Sequence, residues 1–179
     1  IEAGIAKCLK EGIDSLTVIP YFLYPGRKVK NAISDVEKLQ KIISGFTEYI
    51  DLLALGYTGA GPFPQTYFDL NTEGDMLVEK ANIKKQQFFD RYLKYTEYFP
   101  ATHHIPFAGD YILGGKLFEL NKYRGVADAF EITGFDQKAL VFNTGGYIDL
   151  VSNNVVDIRN AKHPQNDLNE KLKEIKLNK

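Results

Sequence analysis

Leu53-Ala54-Leu55-Gly56-Tyr57-Thr58-Gly59-Ala60-Gly61-Pro62-Phe63-Pro64 is the stretch on which the fold turns. It begins as an apolar run of strand character and breaks abruptly into glycine, alanine and proline. A buried strand of an α/β protein delivers its loop to a working edge in this way. Ile105-Pro106-Phe107-Ala108-Gly109-Asp110-Tyr111 repeats the pattern, and two of the chain's three histidines, His103 and His104, stand just before it. The sharpest backbone punctuation and the scarcest chemistry therefore coincide.

Outward from these stretches, Ile50 to Tyr57 reads as a strand apolar on both faces, which suits the interior of a sheet covered by helices. Residues 75–98 read as a long helix, with Leu77, Lys80, Ala81, Lys84, Phe88, Tyr92, Tyr95 and Phe99 marking its faces. We read its aromatic stripe as core packing rather than a ligand box. A strand is expected at about 102–107.

Upstream, Ile5, Cys8 and Leu9 share a face of a short helix over 2–11, and 15–24 read as a buried strand ending near Pro20. Pro25-Gly26 makes a turn. Val29, Ile33, Val36, Leu39 and Ile43 recur at helical spacing over 29–44, and Gly45 ends the run. Downstream, 115–123 read as a short helix or turn and 129–133 as a strand. Lys138–Phe142 and Tyr147–Ser152 flank Asn143-Thr144-Gly145-Gly146, which predicts a hairpin turning at those four residues. Leu168, Leu172 and Ile175 predict a last amphipathic helix over 167–177. The expected fold is a single α/β domain, a mixed sheet flanked by helices.

The chain of 179 residues is long enough for one domain with a core, and its net charge of -1 offers no bulk attraction to nucleic acid or to a membrane surface. No apolar run approaches the ~20 residues that span a bilayer. Cys8 is the only cysteine, so no internal disulfide is possible, and a reducing, cytoplasmic location is the expectation. The start at Ile1 predicts a fragment of a longer chain or a processed product.

For metal chemistry, a hydrolytic zinc site needs several His or Asp side chains converging on one point. The candidates are His104, Asp110 and His103, with His163 distant. Adjacent residues on a regular strand point to opposite faces, so His103 and His104 do not share one ion there. Asp110 is the candidate to join His104 across the turn instead, and two ligands make a poor site. The alternative is one solvated histidine and one packed at a strand end. Tyr57, Thr58, Gly59, Ala60 and Gly61 form the candidate substrate-side loop, whose backbone N–H groups can form an anion nest. It lacks the Lys-Ser/Thr of a phosphate loop, and Pro62 and Pro64 keep a helix from starting there. Arg27 and Lys28, with Lys30, are candidates for meeting a carboxylate or phosphate, against a merely solvated basic turn. No nucleophile motif stands out, and Cys8 on an inferred buried face reads as inert.

Residues 46–179 carry a combination that resembles the carboxyl-terminal half of a metallo-β-lactamase-fold, metal-dependent hydrolase, nearest the branch similar to CMP-N-acetylneuraminate hydroxylase. The matching residues are Asp51-Leu52-Leu53 running into Tyr57–Pro64, Pro106–Tyr111, Gly114-Gly115-Lys116, Leu120–Tyr123 and Ala139–Gly146. The resemblance implies half of a four-layer αββα sandwich, with zinc or another divalent metal at the edge between two similar halves and a small-molecule ester, amide or phosphoester as substrate. The family's His-x-His-x-Asp-His motif is not in this sequence, and Ala108 stands about where many members place their last metal-binding histidine. A partial enzyme is expected, inactive alone, with its missing half supplied by a partner or by a homo-oligomer.

A second resemblance covers about residues 1–40. Val18–Val29, with Phe22-Leu23-Tyr24-Pro25-Gly26-Arg27-Lys28 at its centre, is similar to a sirohydrochlorin chelatase. That implies tetrapyrrole metal insertion, but Lys28 stands in place of the metal-binding histidine, and an ammonium has no lone pair for a metal. The two resemblances place a join at 40–46. Against both enzyme readings stands a non-catalytic structural or fusion module.

Overall fold

The computed structural model describes residues 7, 10, 29–45, 50–107, 111–159 and 169–174. Helix α1 (Val29–Ser44) buries Leu39 and packs Ile43 against the core. Its Gln40 Nε2 donates to the Tyr98 carbonyl at 2.6 Å, which ties α1 to the far end of the next helix. Strand β1 (Ile50–Gly56) lies parallel to β2 (Ala101–Phe107), with Leu53 opposite His104 and Gly56 opposite Phe107. Helix α2 (Gly74–Tyr98) makes the crossover that parallel neighbours require.

Burial along β1 has a period of two. Leu53 and Leu55 are buried, whereas Leu52 and Ala54 are half-buried. The second face of the strand is thus covered only in part. The buried face meets Phe88 and Tyr92 of α2, and Tyr57, Phe99, Ala101, Ala127, Ile132 and Ala139 complete this core. Beyond β2 the chain adds a short parallel rung. The His104 N–H donates to the Lys138 carbonyl at 2.9 Å, and Leu140 N–H donates to the His104 carbonyl at 2.7 Å.

A 3-10 segment covers Gly115–Tyr123, as a short helix or turn was expected to. The strand expected at 129–133 is instead helix α3 (Ala129–Ile132). Its alternating residues look strand-like, but Asp128 and Glu131 form a reciprocal capping box that satisfies the first-turn donors locally.

The late hairpin is also displaced from its expected place. Strand β3 (Phe142–Asp149) pairs antiparallel with β4 (Asn154–Ile158), so Asn143–Gly146 lie inside a strand. The turn falls at 150–153, where Asp149 accepts from the Val151 and Ser152 N–H groups and from Ser152 Oγ. The glycines serve close approach instead. Gly145 has φ +90°, and a Cβ on Gly146 would lie 2.7 Å from the Asp157 carbonyl oxygen, at the register shift between Phe142 and Tyr147.

Residues 169–174 are helical, within the helix expected at 167–177, and Lys7 and Lys10 are helical within the one expected at 2–11. The strand expected at 15–24 lies outside the described residues, and the proposed join at 40–46 falls on the end of α1 and Gly45. Among the described residues no helix is long and apolar enough to cross a membrane. The chain is thus of the α/β class, with a parallel pair, an antiparallel pair and helices.

Candidate functional site

The loop after β1 is held from beneath by one lysine. Lys84 lies on the buried stripe of α2 with Leu77, Ala81, Phe88 and Tyr92. Its ammonium donates to the Gly61 carbonyl at 2.7 Å and to the Phe63 carbonyl at 2.6 Å. Each of these carbonyls belongs to a peptide bond followed by proline, Gly61-Pro62 and Phe63-Pro64, so neither peptide has an N–H to place. The Phe63-Pro64 bond is cis. The rings of Phe88 and Tyr111 stand 5.7 and 5.5 Å from the Lys84 nitrogen. Burial lowers the lysine's pKa to about 8. Gly125 gives the lysine its room: a Cβ there would lie 2.9 Å from Lys84 Cδ and 2.9 Å from the Ala81 carbonyl oxygen.

Other side chains fasten the same edge. Gln65, 1% exposed, places its amide oxygen 2.9 Å from the Tyr111 hydroxyl. Arg91 donates to the Tyr57 carbonyl at 3.2 Å, and Arg124 donates to the Tyr111 carbonyl at 2.6 Å. Asn121 is 1% exposed and bonds the main chain of Leu113 in both directions. Three cationic side chains and the Asn121 amide therefore grip main-chain groups, and Gln65 meets the Tyr111 hydroxyl, where β1 and β2 give way to loops. Ligands of open α/β sheets bind outside the carboxyl ends of their strands.

Behind the edge lies a buried polar network. Asp136 Oδ2 accepts from the Tyr92 hydroxyl at 2.5 Å and from His104 Nδ1 at 2.6 Å, and Asp136 Oδ1 accepts from the Lys138 N–H at 2.9 Å. Burial pushes the Asp136 carboxyl up, but the bonds from Tyr92, His104 and Lys138 outweigh it and hold it below the usual carboxylate value. An ionised carboxylate only accepts, which assigns a proton to His104 Nδ1. Tyr92 is pushed up by burial first and then by its bond to Asp136. His104 is 4% exposed, its ring 6.3 Å from that of Tyr92, and its Nε2 is buried with no partner among the described residues.

The sequence candidates are scattered by this geometry. His103 and His104 point to opposite faces: His103 Nε2 lies 2.8 Å from Asn153 Oδ1 at the hairpin turn, while His104 faces α2. Asp110, Arg27, Lys28, His163 and Cys8 lie outside the described residues. Among the described residues no three His, Cys, Asp or Glu side chains converge on a metal position. His104 Nδ1 is engaged by Asp136 and its Nε2 is buried, so among the described residues His104 stands in the framework of the fold rather than in a cluster of ligands. Tyr57 is fully buried, with its hydroxyl donating to the Ala127 carbonyl at 2.7 Å, so it offers the edge only main chain. Gly59 and Gly61 are half-buried, Ala60 is exposed, and Thr58 is half-buried beside them.

Lys84, Arg91, Gln65 and Asp136 were not singled out as functional from the sequence. The available signal was Lys84 itself, a lysine on the apolar stripe of a helix, because such a residue must find partners when buried. Comparison of the chain with protein-family models, with curated proteins and with solved structures finds no match.

Proposed function

We propose that the chain is the substrate-side part of a metal-dependent hydrolase of the metallo-β-lactamase class, its edge loop seating a small-molecule substrate and its metal held by residues outside the described ones. The observation that carries this reading is the loop Tyr57–Phe63, pinned from below by Lys84 through the Gly61 and Phe63 carbonyls at the carboxyl end of a parallel strand. A loop fixed before substrate arrives avoids an ordering cost on binding. The resemblance of the same residues to that enzyme class supplies the reaction type, and we derive no step through the metal.

A non-catalytic structural module is the second reading. It is favoured by one observation, that both histidines of β2 are engaged within the fold, His103 with Asn153 and His104 with Asp136. Assay of the purified chain against ester and phosphoester substrates with zinc, manganese or iron separates the two. Chelator-sensitive hydrolysis supports the hydrolase reading. No turnover with any of the three metals supports the structural one.

A further inference from the structure

Two cations at the edge have no counter-ion among the described residues. Neither Lys84 nor Arg91 meets a carboxylate among the described residues. Both lie against the Phe88 ring, Lys84 Nζ at 5.7 Å and Arg91 Cζ at 5.4 Å from its centroid. They are seven residues apart on α2, two turns along one face. Arg91 uses one N–H of its guanidinium fork on the Tyr57 carbonyl, and the rest of the fork has no acceptor among the described residues. Burial alone accounts for the lowered pKa of Lys84, as expected where no negative charge compensates it. In the same loop, the N–H groups of Gly59, Ala60 and Gly61 make no backbone bond among the described residues.

We infer that the carboxyl end of β1 is an oxyanion site, in which Arg91 takes a carboxylate or phosphate group of the ligand with its free fork and Lys84 supplies buried positive charge beneath. Planar guanidinium donors match either oxyanion in a two-point contact. A buried cation in a low-dielectric surround attracts an anion more strongly than one in water. The inference deepens the hydrolase reading and rests on it only in calling that anion part of a substrate.

The test titrates the purified chain with inorganic phosphate and, separately, with acetate at constant ionic strength, read by calorimetry with and without EDTA. Saturable binding of at least one probe is expected, surviving EDTA and weakened about tenfold or more in Arg91→Gln. Arg91→Lys keeps the charge but not the fork, and should retain part of the affinity. Stronger phosphate binding points to a phosphoryl ligand, and stronger acetate binding to a carboxylate ligand. Should Arg91→Gln fail to fold, the Arg91 Nε–H resonance of the unaltered protein serves instead and is expected to shift on titration. No saturable binding of either probe, wild-type binding in folded Arg91→Gln, or an unmoved Arg91 resonance would overturn the site. Binding abolished by EDTA would place the anion on a metal, overturning the site while leaving the hydrolase reading standing. Binding through Arg91 in a chain that purifies without any metal would do the reverse.

Discussion

Lys84 shows what a buried charge does when its partners are main-chain carbonyls rather than a carboxylate. Its folded-state pKa of about 8 lies below the 10.5 of the free side chain. Below about pH 8 both folded and unfolded chains carry the proton, and the burial penalty is fully present. Between about 8 and 10.5 the unfolded chain holds a proton that the folded one has lost, so this residue's contribution to stability rises with pH. Urea unfolding across that window should show the rise in the unaltered protein and not in Lys84→Met. The opposite sign holds for Asp136, whose carboxyl is held low. Its contribution is present above its unfolded value of 3.8 and is lost as pH falls through the folded value. Asp136→Asn, measured at neutral pH, should cost about 3 kcal/mol, because Tyr92 and His104 lose a charged acceptor in a buried place. Its unfolding should also lack that part of the acid dependence.

Elements were legible where pattern alone decides them and illegible where side chains redirect the backbone. The α2 stripe Leu77, Ala81, Lys84, Phe88, Tyr92 reads directly as a buried helix face, and β1 and β2 are marked by apolar runs ending in Gly and Pro. The 129–133 segment misleads because its alternation is as strand-like as any. Only the Asp128–Glu131 capping box, a pair of local hydrogen bonds, turns it into helix. Asn143–Gly146 misleads because the same glycines that suit a turn also suit a crowded strand, and Asp149 forms the better turn six residues later. The site was half legible: the loop Thr58–Gly61 stands out by its punctuation, whereas the cations beneath it come from a distant helix that sequence spacing does not connect to the loop. Close packing between α2 and the segment after the 3-10 turn gives an element-level prediction. Gly125→Ala forces a Cβ against the Ala81 carbonyl oxygen and Lys84 and should destabilise by about 1–3 kcal/mol in denaturant unfolding. Asp128→Ala removes the α3 cap and the 3.3 Å pairing with Arg159, and about 1 kcal/mol is expected from the cap.

At the scale of the whole molecule, one helix covers one face of a parallel pair, and that single packing arrangement sets both the core and the edge. Phe88 and Tyr92 of α2 enter the core, Lys84 and Arg91 on the same helix reach the loop, and Asp136 closes the network around His104 from the far side. The account therefore places His104 in the framework and assigns any metal of the hydrolase to other residues. Elemental analysis of the purified chain beside folded His104→Gln, with light scattering on the same samples, tests this most directly. Stoichiometric zinc, manganese or iron, retained in His104→Gln, is the predicted result, and the oligomeric state says whether a second copy completes the site. Metal lost specifically in folded His104→Gln would contradict the placement of that histidine, and no metal in either protein would contradict the hydrolase reading itself.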